Sequence, residues 1–156
     1  MSKTTPATLF LDKAGIAYSL ASYNYDANAE RVGLQAAEAL GAPASEVLKT
    51  LMVRADGKAA CVVLASDREV SMKKLAAALG AKSAEMMRPA DAERLTGYRV
   101  GGVSPFGQKR QVPTVIDADA AALPAAFVNA GQRGLQAQLA PADLVRALGA
   151  KVATVT

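Results

Sequence analysis

Lys49 stands in the stretch VLKTLMV, residues 47–53. In an extended chain the side chains alternate between two faces, so Val47, Leu51 and Val53 share its face while Leu48, Thr50 and Met52 line the other. An ammonium group in an apolar row needs a partner, because desolvating it alone is costly. Two readings supply one. In the first, the methylene stem covers apolar surface and the amine reaches water at a sheet edge. In the second, the amine lies at the floor of a cleft and meets a phosphate, carbonyl or ribose oxygen of a ligand, where a low local dielectric strengthens the attraction.

A second segment with chemical potential is TGYRVGGVSPFGQKR, residues 96–110. Glycines at 97, 101, 102 and 107 together with Pro105 describe a loop whose backbone can approach a ligand closely, since glycine has no Cβ in the way. Gly102 and Gly107 have the outer spacing of a phosphate loop, but Gln108 and Lys109 follow where Lys and then Ser or Thr are required, which argues against nucleotide hydrolysis. Lys109 and Arg110 carry the right charge to meet phosphates without base specificity. The alternative for them is a solvated basic turn.

The residue inventory narrows the chemistry further. The 156-residue chain has no histidine, which excludes His-dependent triads and His general bases, and a single cysteine, which excludes an internal disulfide. Cys61 alternates with Ala59, Val63 and Ala65 and reads as a small core residue. No cofactor or metal is expected. The formal charge of +4 and the pI near 9.3 favour an anionic partner such as RNA, although many ordinary proteins share them. MSKTTPATLFLDKAG lacks the apolar core of a signal peptide, and no run reaches the roughly 18 apolar residues of a membrane span. A cytoplasmic protein without a membrane or DNA partner is the expectation.

The elements that must position these residues are legible as punctuation. Thr5-Pro6 and Gly15 bracket a short helix, and Ile16, Tyr18 and Leu20 alternate like a strand. A helix over 32–40 ends at Gly41, and VLKTLMV and AACVVLA flank an Asp56-Gly57 turn as a hairpin. Ser71 caps MKKLAAALG, Pro89 opens a helix, VPTVID is a strand, AAFVNAGQRGLQAQLA is a second hairpin, and Pro141 opens a helix before the strand KVATV. Local hairpins and irregularly placed helices predict an α+β fold of one domain over 1–156, with a mixed, largely antiparallel, barrel-like sheet covered by helices.

VLKTLMV, SMKKLAAALGAK, TGYRVGGVSPFGQKRQVPTVID and AGQRGL, in this order, closely resemble the YbaK/EbsC family of aminoacyl-tRNA deacylases, relatives of the editing domain of bacterial prolyl-tRNA synthetase. The resemblance covers nearly the whole chain and implies the fold of that editing domain. It implies that Lys49 is the essential lysine holding the aminoacyl-adenosine end of the substrate. Gly101, with Gly102, Ser104 and Pro105, matches the GxxxP loop that shapes the amino-acid pocket, and Tyr23 the aromatic residue flanking the cleft. Thr50, Asn129 and Gly131 are further candidates for binding the substrate, and Lys109 and Arg110 for tRNA phosphates. Two places depart from the pattern. Asn129-Ala130-Gly131 replaces a Ser/Gly-Gly turn, and Gln136-Ala137-Gln138 stands where an acidic residue follows Arg-Gly-Leu.

The resemblance implies trans-editing of Cys-tRNA(Pro), with prolyl-tRNA synthetase as a partner and aminoacyl-tRNA as substrate. A second site of this kind is needed because a pocket sized for one small side chain discriminates poorly against another of similar volume. The chain offers no nucleophile–base pair, so the protein would position the ester and the substrate's own thiol would attack it. The alternatives are deacylation of another small residue, alanine or 2-aminobutyrate, and a non-catalytic module that binds charged tRNA.

Overall fold

The computed structural model describes residues 4–26 and 32–156. Residues 1–3, part of the N-terminal segment read above for a signal peptide, lie outside the described residues. Helix α1 (Pro6–Ala14) leads to strand β1 (Ser19–Ser22) and helix α2 (Val32–Leu40). After a short turn come the hairpin β2 (Leu48–Ala55) and β3 (Lys58–Ala65), helix α3 (Met72–Ala78), strand β4 (Ala84–Met86) and helix α4 (Pro89–Thr96). The glycine-rich segment then crosses to β5 (Thr114–Asp117) and α5 (Ala118–Ala121). The second hairpin, β6 (Ala126–Gln132) and β7 (Leu135–Leu139), precedes α6 (Pro141–Leu148) and β8 (Lys151–Ala153).

The helix ends follow the punctuation. Thr5 and Thr8 cap α1 reciprocally, the Thr8 N–H reaching Thr5 Oγ1 and the Thr5 N–H reaching Thr8 Oγ1 at 3.1 and 2.8 Å, so two otherwise orphaned donors are satisfied. Asp56 and Gly57 both have positive φ, 50° and 80°, the conformation a two-residue hairpin turn requires.

The strands form two sheets, β1-β7-β6 and β4-β2-β3-β5-β8, where the sequence suggests a single barrel-like one. An isolated parallel bridge between Val47 and Phe127 links them. The larger sheet is mixed: β2 runs antiparallel to β3 and β4, whereas β3, β5 and β8 are mutually parallel. It is covered on both faces, which explains the almost continuous apolar run of β3. Leu48, Met52, Cys61, Val63 and Ile116 pack toward Val128, Ala130, Leu135 and Ala137 of the smaller sheet. Val53, Ala60, Val62, Leu64 and Val115 face the other way, with Leu75 of α3. Among the described residues no helix is long and apolar enough to cross a membrane.

Phe106 ties the glycine-rich segment to the larger core. It is fully buried and stacks on Phe10 of α1 with ring centroids 5.7 Å apart. Phe106→Ala should therefore cost about 3–5 kcal/mol of stability, seen as a lower midpoint in urea unfolding.

Candidate active site

The position of Lys49 follows from where β4 stops. β4 pairs only with Val53–Ala55 of β2, and one further bond runs from the Met87 N–H to the Met52 carbonyl at 3.0 Å. The first half of β2 thus lies along an edge that β4 does not cover. A cavity of about 290 Å³ opens against this edge and is lined by residues 47–52 from both faces of the strand. Lys49 and Thr50, which alternation places on opposite faces, consequently reach the same space.

Other parts of the chain close it. Tyr23 follows β1, Gly101 and Val103 come from the glycine-rich loop, Asn129 and Gln136 from the second hairpin, and Met86 and Met87 from the end of β4. Asn129 and Gln136 are direct register partners on β6 and β7. Among the described residues lining the cavity, Lys49 is the cation and none is acidic. Thr50 Oγ1 and Gln136 Oε1 are buried without a hydrogen-bond partner in the protein. A buried polar atom without a partner is costly to keep; Gln108 Oε1, outside this cavity, is a third among the described residues. Burial pushes the Tyr23 phenol above its usual range, and the Gln136 amide facing it opposes that shift.

The loop is fastened from the second hairpin. Arg133 Nε donates to the Val100 carbonyl at 2.9 Å, and its guanidinium lies over the Tyr25 ring, 5.2 Å from the centroid. Asn129 Nδ2 donates to the Gly101 carbonyl at 3.3 Å, while Asn129 Oδ1 accepts from the Gly131 N–H at 2.7 Å. The Arg-Gly-Leu motif acts through these contacts: Arg133 clamps the loop that carries Gly101. Sequence reasoning assigned Arg133 no role, and its position in the motif was the signal available. Gln136 was legible only as a departure from a pattern.

Not every expected residue lines the cavity. Ser104 and Pro105 are buried inside the loop, where Ser104 Oγ accepts the Phe106 N–H and the Ser104 carbonyl accepts from Gln108 Nε2. Gly102 packs under the hairpin, with its N–H bonded to the Arg99 carbonyl at 2.8 Å. An added Cβ there would come within 2.8 Å of the Arg133 nitrogen. Gly131 sits behind Asn129 against Tyr98. Lys109 and Arg110 are exposed and outside this cavity. Cys61 is fully buried in the core, and burial pushes its thiol up to about 12, so it is protonated and unreactive at neutral pH.

Gly101 has φ of +93°, and a Cβ at this position would collide with the Tyr25 hydroxyl. Gly101→Ala should cost about 1–3 kcal/mol in backbone strain. By displacing the loop it should also lower turnover by about 10²-fold, read as a fall in kcat with the thermal midpoint followed in parallel.

Comparison with known proteins bears on the family and the fold. A family model described as the aminoacyl-tRNA editing domain matches residues 28–147. The chain is 38% identical over 121 residues to EbsC of Enterococcus faecalis, a candidate Cys-tRNA(Pro)/Cys-tRNA(Cys) deacylase, covering 77% of this chain and 74% of that one. It is 34% identical over 114 residues to a proline–tRNA ligase of Acidithiobacillus ferrooxidans, covering 69% of this chain but only 20% of the ligase, as expected if the match is to one domain of a larger enzyme. In fold it superposes on the crystal structure of a candidate trans-editing enzyme for prolyl-tRNA synthetase with a TM-score of 0.85 at 22% identity, covering 99% of both chains. With a cavity at the strand lysine and a matching model over most of its length, this chain belongs to the aminoacyl-tRNA editing domain family.

Proposed function

We propose that the chain deacylates mischarged tRNA in trans, with Cys-tRNA(Pro) as its substrate, and that residues 1–156 act as one editing domain. The observation that carries the reading is the convergence of Lys49, Thr50, Tyr23 and Gly101 on one cavity that holds two unpartnered buried oxygens. Its volume is near the lower end of ligand cavities, roughly 300–1,000 Å³, which suits a small aminoacyl group. Met86 and Val100 at its margin are 51% and 42% exposed and offer an apolar lip to the terminal base.

In this reading the Lys49 ammonium holds the ester end, and Thr50, Asn129 and Gln136 take its polar groups. The Gly102 N–H is already committed within the loop, so the contact to the developing oxyanion falls to Lys49 and the backbone around Gly101. The substrate's cysteine thiol attacks its own ester carbonyl as its proton passes to the departing ribose oxygen. The carbon–oxygen bond to the ribose breaks, the ribose oxygen takes up the thiol's proton, and free tRNA and a cyclic thioester result. The protein contributes position and excluded water rather than a nucleophile. The setting is the cytoplasm, with prolyl-tRNA synthetase supplying the substrate.

One observation favours a second specificity. A cavity wall that combines the neutral Gln136 amide with apolar Val103 and Ala92 would also accept alanine or 2-aminobutyrate esters. Incubating the purified protein with Cys-, Ala- and 2-aminobutyryl-tRNA(Pro) and following the remaining ester tests both readings. Fastest loss of the cysteinyl ester is expected, and loss of none above the spontaneous rate rejects the deacylase reading.

A further inference from the structure

A second concavity, of about 690 Å³, opens beyond Met87, which lines both it and the ester cavity. Its walls carry Arg54 at the end of β2, Lys58 at the start of β3, Arg94 near the end of α4 and Arg110 on the segment entering β5. These residues are remote in sequence, and the β2–β3 turn and α4 bring them together. One carboxylate of the wall, Asp91, faces them with both its oxygens engaged, and Glu85 on β4 is the cross-strand partner of Arg54. Asp91 Oδ2 lies 3.6 Å from Arg54 Nη2, and Asp91 Oδ1 pairs with Arg94 Nη2. Asp91 therefore fixes two guanidinium groups in place instead of neutralising the groove, and four cations against Asp91 and Glu85 leave a formal surplus of two.

We infer that this groove holds the sugar–phosphate backbone of the tRNA just inside the terminal nucleotide whose ester enters the Lys49 cavity. The inference rests on the deacylase reading for the identity of the nucleic acid. Guanidinium groups present planar, paired donors matched to phosphate oxygens, and contacts of this kind position the chain without reading its bases. The adjacency through Met87 gives the direction: a strand that leaves the ester cavity on that side meets the cations next. Arg110 lies in this groove and Lys109 does not, which separates two neighbours that the sequence treats alike.

The test pairs Lys58→Glu with Arg110→Glu, both at exposed positions, in the full chain, and measures binding to uncharged tRNA(Pro) over a range of salt. Lys13→Glu with Lys73→Glu, exposed on α1 and α3 outside the groove, is the charge-matched control. We expect the groove variant to weaken binding at least about 10-fold and to make the slope of log K against log salt shallower by roughly 1.4–1.8, two phosphate contacts at 0.7–0.9 each. The control should change both by much less. Equal weakening by the two variants, or unchanged binding by the groove variant, overturns the inference, and the latter would point to an acidic protein surface as the occupant. Cleavage of a cysteinyl ester of adenosine, too short to reach the groove, reports on the deacylase reading separately. The groove variant should lose at least about 10-fold more kcat/KM on Cys-tRNA than on that short ester.

Discussion

Lys49→Ala should lower deacylation of Cys-tRNA by about 10²–10³-fold, the loss typical of removing one donor to a developing oxyanion, and should leave the circular dichroism spectrum native. The structure separates these two effects. Lys49 is half-buried at the uncovered edge of β2 and lines the cavity, whereas the packing of the strand rests on Leu48, Met52 and Val53, which are buried in the two cores. Truncation to alanine therefore removes a cation from a cavity wall and leaves core contacts in place. Lys49→Arg should recover little, because a broad, rigid guanidinium does not occupy the space of a point-like ammonium on a flexible stem. An unfolded Lys49→Ala variant, or one that turns over substrate at the wild-type rate, would make the lysine a structural residue.

The second large effect belongs to the substrate. On one tRNA, a cysteinyl ester should be cleaved far faster than a seryl or 2-aminobutyryl ester. The three groups are close in size, so pocket fit accounts for only about 1–3 kcal/mol between them. A positioned intramolecular thiol, by contrast, can remove several kcal/mol of the barrier, by the effective-molarity argument of roughly 7–11 kcal/mol at its limit. The protein's own thiol does not compete. Cys61 is fully buried and its thiol is pushed up to about 12, so Cys61→Ala should leave the cysteine rate unchanged. Equal rates for cysteine and 2-aminobutyrate would eliminate thiol assistance and assign the attack to water, oriented by the terminal ribose hydroxyl.

The parts of the fold that were legible in the sequence are those fixed by near neighbours. Thr5-Pro6 and Gly15 mark the ends of α1 because caps act within one turn, and Asp56-Gly57 marks the β2–β3 hairpin because the turn alone selects residues with positive φ. The strand β4 was not legible. It has three residues, two of them exposed, and it exists through its pairing with β2, some thirty residues earlier in the chain. The division into two sheets and the parallel pairing of β5 with β3 and β8 depend likewise on distant contacts that leave no local pattern.

The site was legible in the same uneven way. Lys49 stood out because its row is apolar, and Gly101 because glycines cluster around it. Alternation, however, separated Lys49 from Thr50, and only the short reach of β4 explains how both face one cavity. Ser104 was expected at the amino-acid pocket by resemblance alone, yet its hydroxyl is spent on the loop's own backbone. Arg133 had no assigned role, although it holds the loop through Val100.

As proposed above, this chain is a catalyst and not a sensor of charged tRNA. The most direct test of this supplies Cys-tRNA(Pro) in large molar excess over the purified protein and follows the ester bond with time, with and without prolyl-tRNA synthetase. Many ester bonds should be broken per protein molecule, faster when the synthetase is present. Retention of the ester while the tRNA is bound, or a single burst equal to the protein concentration, would contradict it.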